Sequence, residues 1–133
     1  MRPVKANITK GIPLGAEIDT CDNSGAKVVK VFTVMGAKTV WGRVAAAGVG
    51  DLIMVSVKRG RPDMRKQTMF AVIVRQRKEY RRPDGMRIKF EDNAAVVLKD
   101  DKGNPQGTLL KGPFAKEAAE RWPAIAKIAS MVV

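Results

Sequence analysis

The sequence predicts a mainly β protein, in which five or more short strands curl into a small closed barrel and a short helical tail follows. Short runs of strong β-forming residues recur as far as residue 110, and turn signals such as Asp22-Asn23-Ser24-Gly25 separate them. Strong helix formers replace these runs from residue 115 onward. With 133 residues the chain can bury one hydrophobic core. We therefore expect a single domain, with an arm over residues 1–16, the barrel over 17–111 and the helical tail over 112–133.

The predicted strands are short apolar runs. They lie at residues 18–21, 27–34, 52–57, 66–74, 86–90 and 95–98, and residues 108–110 are expected to close the sheet. Residues 27–34 are apolar on both faces except at Lys27 and Lys30, which favours a barrel wall covered on each side. Residues 36–50 and 58–62 are predicted to be loops, the second one basic and mobile.

Residues 71–97 form the stretch around which the chain is organised. An apolar run over residues 71–74 is followed by a basic segment and by the turn residues Pro83-Asp84-Gly85. Apolar and basic residues then alternate over residues 86–90. This pattern predicts a protruding β-hairpin with one face for a core and one face for an anion.

The tail contains two predicted helices. Residues 115–122 are rich in helix formers, and Pro123 ends that helix. Because proline is tolerated in a first helical turn, Pro123 is also expected to open a second short helix over residues 124–130.

The charge is strongly positive and concentrated. The chain carries a formal net charge of +12 and a sequence pI of about 10.3. Residues 58–89 hold 12 basic and three acidic side chains, so +9 of the +12 lies in that segment. A basic block on a folded scaffold indicates a polyanion partner. A solubilising surface is the alternative, but solubility needs mixed signs rather than one block.

The residue types argue against catalysis, a cofactor or a metal. Histidine is absent and Cys21 is the single cysteine, so the usual general bases and nucleophiles are missing. Neighbouring carboxylates on a strand point to opposite faces. Residues 99–107 have faint similarity to a calcium loop, but Lys102 occupies a ligand position. Without a secretory or membrane-spanning segment, the protein is expected to be soluble and intracellular, with no membrane partner.

The aromatic residues favour folded RNA over single strands. Phe32, Phe70 and Phe90 are predicted to be core residues by their alternation, whereas Trp41 and Tyr80 are either exposed or packed at the base of a loop. Base stacking therefore has weak support. Contacts of lysine and arginine with the phosphates of double-helical RNA fit better.

Several motifs carry a family resemblance. An aliphatic run, a basic spacer, Asp-Gly, an aromatic residue, Asn and two aliphatic residues follow one another between residues 71 and 97. They are Ala71-Val72-Ile73-Val74, Asp84-Gly85, Phe90, Asn93 and Val96-Val97. This order resembles the signature of the universal large-subunit ribosomal protein fourteen family, and the likeness extends to residues 22–26, 48–51 and 112–113. Residues 11–16, 90–94 and 122–123 resemble the archaeal and eukaryotic branch of the family.

The resemblance implies a structural ribosomal protein with a five-stranded barrel, which is ribosome-bound in the cytoplasm. Its expected partners are large-subunit rRNA, neighbouring large-subunit proteins, small-subunit rRNA at an intersubunit bridge, and a subunit anti-association factor that docks on the C-terminal region. A free-standing RNA chaperone or single-strand binder, a protein-interaction module and, remotely, a nuclease are the alternatives.

Two sites are predicted, one for rRNA and one for a protein partner. The predicted rRNA-binding residues are Lys27, Lys30, Arg43, Lys58, Arg59, Arg61, Lys66, Arg75, Arg77, Lys78, Arg81, Arg82, Arg87 and Lys89. The predicted protein-partner surface is Phe114, Lys116, Glu117, Arg121, Trp122 and Ile125. For Phe114 and Trp122 the alternative is that they pack the tail onto the barrel.

Overall fold

A closed barrel of five strands forms the centre of the computed structural model, which describes residues 3, 6, 8–37 and 39–133. With all strands numbered in chain order, the barrel strands are β2 (Glu17–Thr20), β3 (Ala26–Val34), β5 (Leu52–Gly60), β6 (Thr68–Arg75) and β9 (Ala94–Leu98). Successive neighbours are antiparallel, and a parallel pairing of β2 with β9 closes the barrel. The predicted fold class is confirmed. The closing partner of β2 is β9 rather than residues 108–110, of which Leu110 forms a single bridge to Asp22.

Three two-stranded pairs and two short helices lie outside the barrel. The pairs are β1 (Ile12–Pro13) with β4 (Ala46–Ala47), β7 (Tyr80–Arg81) with β8 (Arg87–Ile88), and β10 (Pro113–Phe114) with β11 (Met131–Val132). The helices are α1 (Lys116–Arg121) and α2 (Pro123–Ala126). Pro123 opens α2 as predicted, because its fixed φ suits a first helical turn. Within the predicted arm, residues 1, 2, 4, 5 and 7 lie outside the described part of the chain.

Two buried clusters use opposite faces of the same strands. Ala71 and Ile73 of β6 point into the barrel, whereas Val72 and Val74 point outward beneath the tail. Strand β9 alternates in the same way and is buried along its whole length. These strands are therefore apolar at almost every position because both of their faces are covered.

Strand β3 differs from its prediction. Its inner positions are buried, but its outer face is open to solvent, so the strand is not a wall covered on both sides. The ladder to β5 is irregular between Val31 and Thr33, and Phe32 at this irregularity is 42% exposed. A β-bulge redirects a side chain in this way. The prediction that Phe32 belongs to the core is therefore wrong.

The segment between β6 and β9 contains a smaller hairpin than predicted. Residues 71–74 pair with β5 and β9, and only β7 and β8 pair around the turn at residues 83–85. Gly85 N donates to Arg82 O over 2.9 Å, and Met86 N donates to Asp84 Oδ1 over 3.0 Å. The turn chemistry was thus predicted correctly, but the partner strands were not.

No helix in the described part of the chain is both long enough and apolar enough to cross a membrane.

Candidate nucleic-acid interface

The turn between β5 and β6 carries the first basic group, which we call the tip group. Its members are Lys58, Arg59, Arg61, Arg65 and Lys66, all of them exposed. The strands continue into this turn, because Val57 N donates to Gln67 O and Lys66 N donates to Val57 O, each over 3.0 Å. Strand β5 reaches Gly60, so the predicted mobile loop at residues 58–62 is largely strand. Backbone hydrogen bonds therefore hold the tip group at the end of this ladder.

Most tip-group cations have no carboxylate partner. Arg61 is the exception, since its Nε lies 3.8 Å from Asp63 Oδ1 and its Nη2 donates to Ser24 O over 3.0 Å. The other four form no ion pair among the described residues. Arg65 is a member that the sequence prediction missed, although it lies inside the same basic block.

Strand β3 adds lysines beside this group. Val28 pairs with Arg59 across the ladder, which places Lys27 at the same end of the strand. Lys27 is exposed, and Lys30, which pairs with Ser56, is half-buried.

The second basic group lies between β6 and β9, and we call it the excursion group. Its members are Arg77, Lys78, Arg81, Arg87 and Lys89, all of them exposed. Arg87 Nη1 lies 2.8 Å from Glu79 Oε1, and Arg77 Nε donates to Glu91 O over 2.8 Å. In the described part of the chain, the other three form no ion pair.

The buried side-chain amide of Gln76 holds the start of the segment between β6 and β9. Gln76 Nε2 donates to Thr9 O and to Lys78 O, each over 2.8 Å, and Gln76 Oε1 accepts from Val49 N over 2.9 Å. The amide is therefore saturated, which makes its burial tolerable. The sequence prediction did not identify this residue.

The two basic groups lie beyond opposite ends of β6. That strand has eight residues, and at ~3.3 Å per residue its ends are about 23 Å apart. Closure of the barrel also links these ends from the other side, because successive pairings join Arg59 to Val28, Val28 to Asp19, Asp19 to Ala94 and Ala94 to Arg75, and Arg61 and Arg75 line one cavity.

Arg75 is not part of either basic surface. Its side chain is buried, and Nη1 donates to Lys111 O and Pro113 O over 2.9 and 3.0 Å. Its Nε lies 3.0 Å from Asp92 Oδ1. Since the guanidinium is buried against the protein, these contacts do not favour an rRNA contact for Arg75, which stays a prediction. Its role is to hold the start of the tail.

Arg82 has a similar structural role. Its Nε donates to Glu117 Oε1 over 2.7 Å, and its Nη2 donates to Val133 O over 2.6 Å. Tyr80 Oη also donates to the Glu117 carboxylate, over 2.7 Å. Burial, followed by the bond to Glu117, raises the pKa of Tyr80. Burial alone would lower the pKa of Arg82, but its bonds with Glu117 raise it instead. These contacts likewise do not favour an RNA contact for Arg82, which stays a prediction.

The predicted protein-partner surface is mostly buried. Phe114, Trp122 and Ile125 pack in the cluster beneath the tail, and Trp122 Nε1 donates to Gly50 O over 2.8 Å. Glu117 is buried as well. These four residues attach the tail to the barrel, and their burial does not favour a role in a partner surface, which stays a prediction. Lys116 is exposed, and the partly exposed Arg121 bonds Asp51 Oδ1 over 3.3 Å.

Arg43 lies in the loop between β3 and β4 and is exposed. Two residues before it, Trp41 is 99% exposed. Tyr80, in contrast, is buried. Of the two aromatic residues whose environment the sequence left open, only Trp41 is therefore accessible.

Cys21 is buried and unsuited to nucleophilic chemistry. Burial raises the pKa of its thiol to about 12. Within residues 3, 6, 8–37 and 39–133, no three His, Cys, Asp or Glu side chains are grouped so that they could hold a metal ion.

These features define a class of small, strongly basic β-barrel proteins with a helical tail docked on the barrel. The family model described as "Ribosomal protein L14p/L23e" matches residues 11–133. Over 133 residues, and over all of both chains, the sequence is 56% identical to the "Large ribosomal subunit protein uL14" of Nanoarchaeum equitans. It is 51% identical, again over the whole of both chains, to the protein of that name in Picrophilus torridus. The chain belongs to the ribosomal protein L14p/L23e family, which confirms the predicted resemblance, and both of these relatives are archaeal.

Proposed function

We propose that this chain is a structural constituent of the large ribosomal subunit and binds large-subunit rRNA through the tip group and the excursion group. The observation that carries the proposal is the set of exposed cations without carboxylate partners at the β5–β6 turn. Lysines and arginines that are not neutralised by their own protein are available to RNA phosphates. The names of the relatives support the same role.

The spacing of the groups suggests how the protein acts. The groups lie on the two connections that flank β6, and backbone hydrogen bonds close the β5–β6 turn and the β7–β8 pair that carry many of their members. Such a body presents both groups to RNA in a fixed arrangement. Its mechanism is therefore scaffolding by charge neutralisation, and the contacts with A-form RNA are to phosphates and 2′-hydroxyls.

The tail is proposed as the protein-facing region. Its exposed residues include Lys116 and the apolar side chains of Met131, Val132 and Val133. An exposed apolar strand end can pair with another chain. We assign neighbouring large-subunit proteins and a subunit anti-association factor to this end of the molecule. The bridge to small-subunit rRNA and the cytoplasmic, ribosome-bound location belong to the same proposal.

Salt dependence tests the RNA-binding surface. The full chain would be titrated with protein-free archaeal large-subunit rRNA between about 50 and 200 mM salt, where an interface with ~6–10 phosphate contacts loses ~10³–10⁵ in affinity. The double variant Lys58→Ala, Arg59→Ala should lower the slope of log affinity against log salt by about 2.

The matched control removes two other exposed lysines. Lys102 lies beside Asp100 and Asp101, and Lys127 follows α2. Lys102→Ala, Lys127→Ala should leave the salt slope unchanged. A salt-insensitive affinity, or equal effects of the two double variants, would contradict the proposal.

A further inference from the structure

One aromatic side chain lies almost entirely in solvent. Trp41 is 99% exposed, and Val40 and Val44 beside it are also exposed. The other tryptophan, Trp122, is buried and hydrogen-bonded. A large ring in water loses the burial that normally stabilises an aromatic residue, and exposed apolar surface of this kind marks a binding site.

The backbone presents this ring on a defined turn. Arg43 N donates to Val40 O over 3.2 Å, and Trp41 and Gly42 have φ values of +60° and +71°. Positive φ at both central residues is the pattern of a type I′ turn. A bulky residue is strained at positive φ, so the turn holds Trp41 at a conformational cost that its own packing does not offset.

The charge of the loop that carries Trp41 indicates the class of partner. Residues 35–50 of the sequence contain Lys38 and Arg43 but no acidic residue. Arg43 is exposed and forms no ion pair among the described residues. A region with basic and aromatic but no acidic side chains complements a polyanion that has flat rings, which is a nucleic acid with an unstacked base.

We propose that Trp41 is a stacking platform for an unpaired base of large-subunit rRNA and that Arg43 binds an adjoining phosphate. This inference rests on the proposed function and adds a second kind of contact to it. The two basic groups bind the phosphates of helical RNA, whereas the turn at Trp41 binds a base that is outside a helix. Phe32, exposed at the bulge of the strand that leads into this loop, is a second available aromatic surface.

The test compares four forms of the full chain in binding to protein-free archaeal large-subunit rRNA. They are the unchanged chain, Trp41→Ala, Trp41→Phe and Val44→Ala. Since stacking contributes a measurable part of the affinity for each base, Trp41→Ala should weaken binding by about 5- to 100-fold. Trp41→Phe keeps a ring and should retain most of the affinity, and Val44→Ala should bind like the unchanged chain. Thermal unfolding of Trp41→Ala should match that of the unchanged chain, because the ring is almost fully exposed.

Two further readouts separate stacking from charge. The salt slope of Trp41→Ala should equal that of the unchanged chain, because no phosphate contact is removed. Subtracting the fluorescence of Trp41→Phe isolates the emission of Trp41, which rRNA should quench and a fully paired RNA duplex should not.

Three outcomes would overturn the inference. If Trp41→Ala binds normally while Lys58→Ala, Arg59→Ala binds weakly, the stacking platform fails and the proposed function stands. If Val44→Ala weakens binding as much as Trp41→Ala does, the loop makes a general apolar contact instead. If the unchanged chain does not bind rRNA, both proposals fail together.

Discussion

Arg82 Nε lies 2.7 Å from Glu117 Oε1, and this ion pair joins the small hairpin to the C-terminal helix. The two side chains are only 13% and 5% exposed. Tyr80 donates to the same carboxylate, and Arg82 also donates to Val133 O, so the pair lies in a network that includes both ends of the tail. The hairpin and the tail therefore support each other.

Removing Arg82 should destabilise the fold. Arg82→Ala leaves the Glu117 carboxylate buried without its cation, a change that costs about 3–5 kcal/mol in the free energy of unfolding. Its neighbour Arg81 is exposed and unpaired among the described residues, so Arg81→Ala should change stability by no more than about 0.5 kcal/mol. Urea unfolding of both variants measures the difference. Equal stabilities would show that the ion pair does not hold the tail.

Replacing Gly60 should be more harmful than replacing Gly85. Both have positive φ, +152° and +89°. A Cβ on Gly60 would lie 2.5 Å from Gly25 O and 3.0 Å from Ala26 Cα, whereas a Cβ on Gly85 meets open space. Gly85→Ala should cost about 1–2 kcal/mol from backbone strain alone. We expect Gly60→Ala to cost more, because β5 must also move away from β3. The midpoints of thermal unfolding of the two variants test this expectation. A midpoint for Gly60→Ala at or above that of Gly85→Ala would refute it.

The Cys21 thiol should be unreactive in the folded chain. Its pKa is raised to about 12, chiefly by burial, so the thiolate is scarce at about pH 8. A thiol reagent should therefore label the native chain slowly and the urea-unfolded chain rapidly. Because Cys21 is the only cysteine, the label reports on this site alone. Rapid native labelling would mean that the cluster around Cys21 opens readily.

Asp22 should make stability depend on pH in the sense opposite to that of a salt-bridged carboxylate. Burial raises its pKa above the ordinary value of 3.8, although bonds from Ser24 Oγ and Val97 N lower it in part. The folded chain thus keeps this proton to a higher pH than the unfolded chain does. The stabilising contribution is complete below 3.8 and is lost as pH rises through the folded pKa.

Asp22→Asn isolates this effect, because the amide does not ionise. The free energy of unfolding of Asp22→Asn minus that of the unchanged chain should increase as pH rises from about 3 to 7. Urea titrations at several pH values measure this difference. A difference that decreases with pH would mean that the hydrogen bonds outweigh the burial.

Much of the barrel could be predicted from local sequence patterns. The β5 and β9 runs are short, apolar and bounded by turn residues, and the strands begin within a residue of their predicted starts. The pairing was harder to predict, because pairing depends on which strands meet in space. The parallel contact of Asp19 with Ala94 joins residues far apart in the chain and has no local signature.

In the candidate site, too, local properties could be predicted, whereas contacts between distant parts of the chain could not. The basic block predicted exposed cations such as Lys58 and Lys78 correctly, since unpaired charge stays in water. Arg75 and Arg82 have the same residue type in the same block, but they bond Pro113 and Glu117 of the tail, which lie 38 and 35 residues further on. Composition cannot separate an arginine that binds RNA from one that binds its own backbone.

The closure of the barrel by β2 and β9 also affects how the chain is made. Synthesis proceeds from the N-terminus. Strand β2 therefore cannot pair with β9 until residues 94 and 95 have been synthesised. In a nascent chain that has reached only Arg75, the edges of β2 and β6 are both unpaired, and 13 of the 25 basic residues have already been made. We therefore expect chaperones or RNA to protect the unpaired strand edges chiefly while the segment between β6 and β9 is being translated.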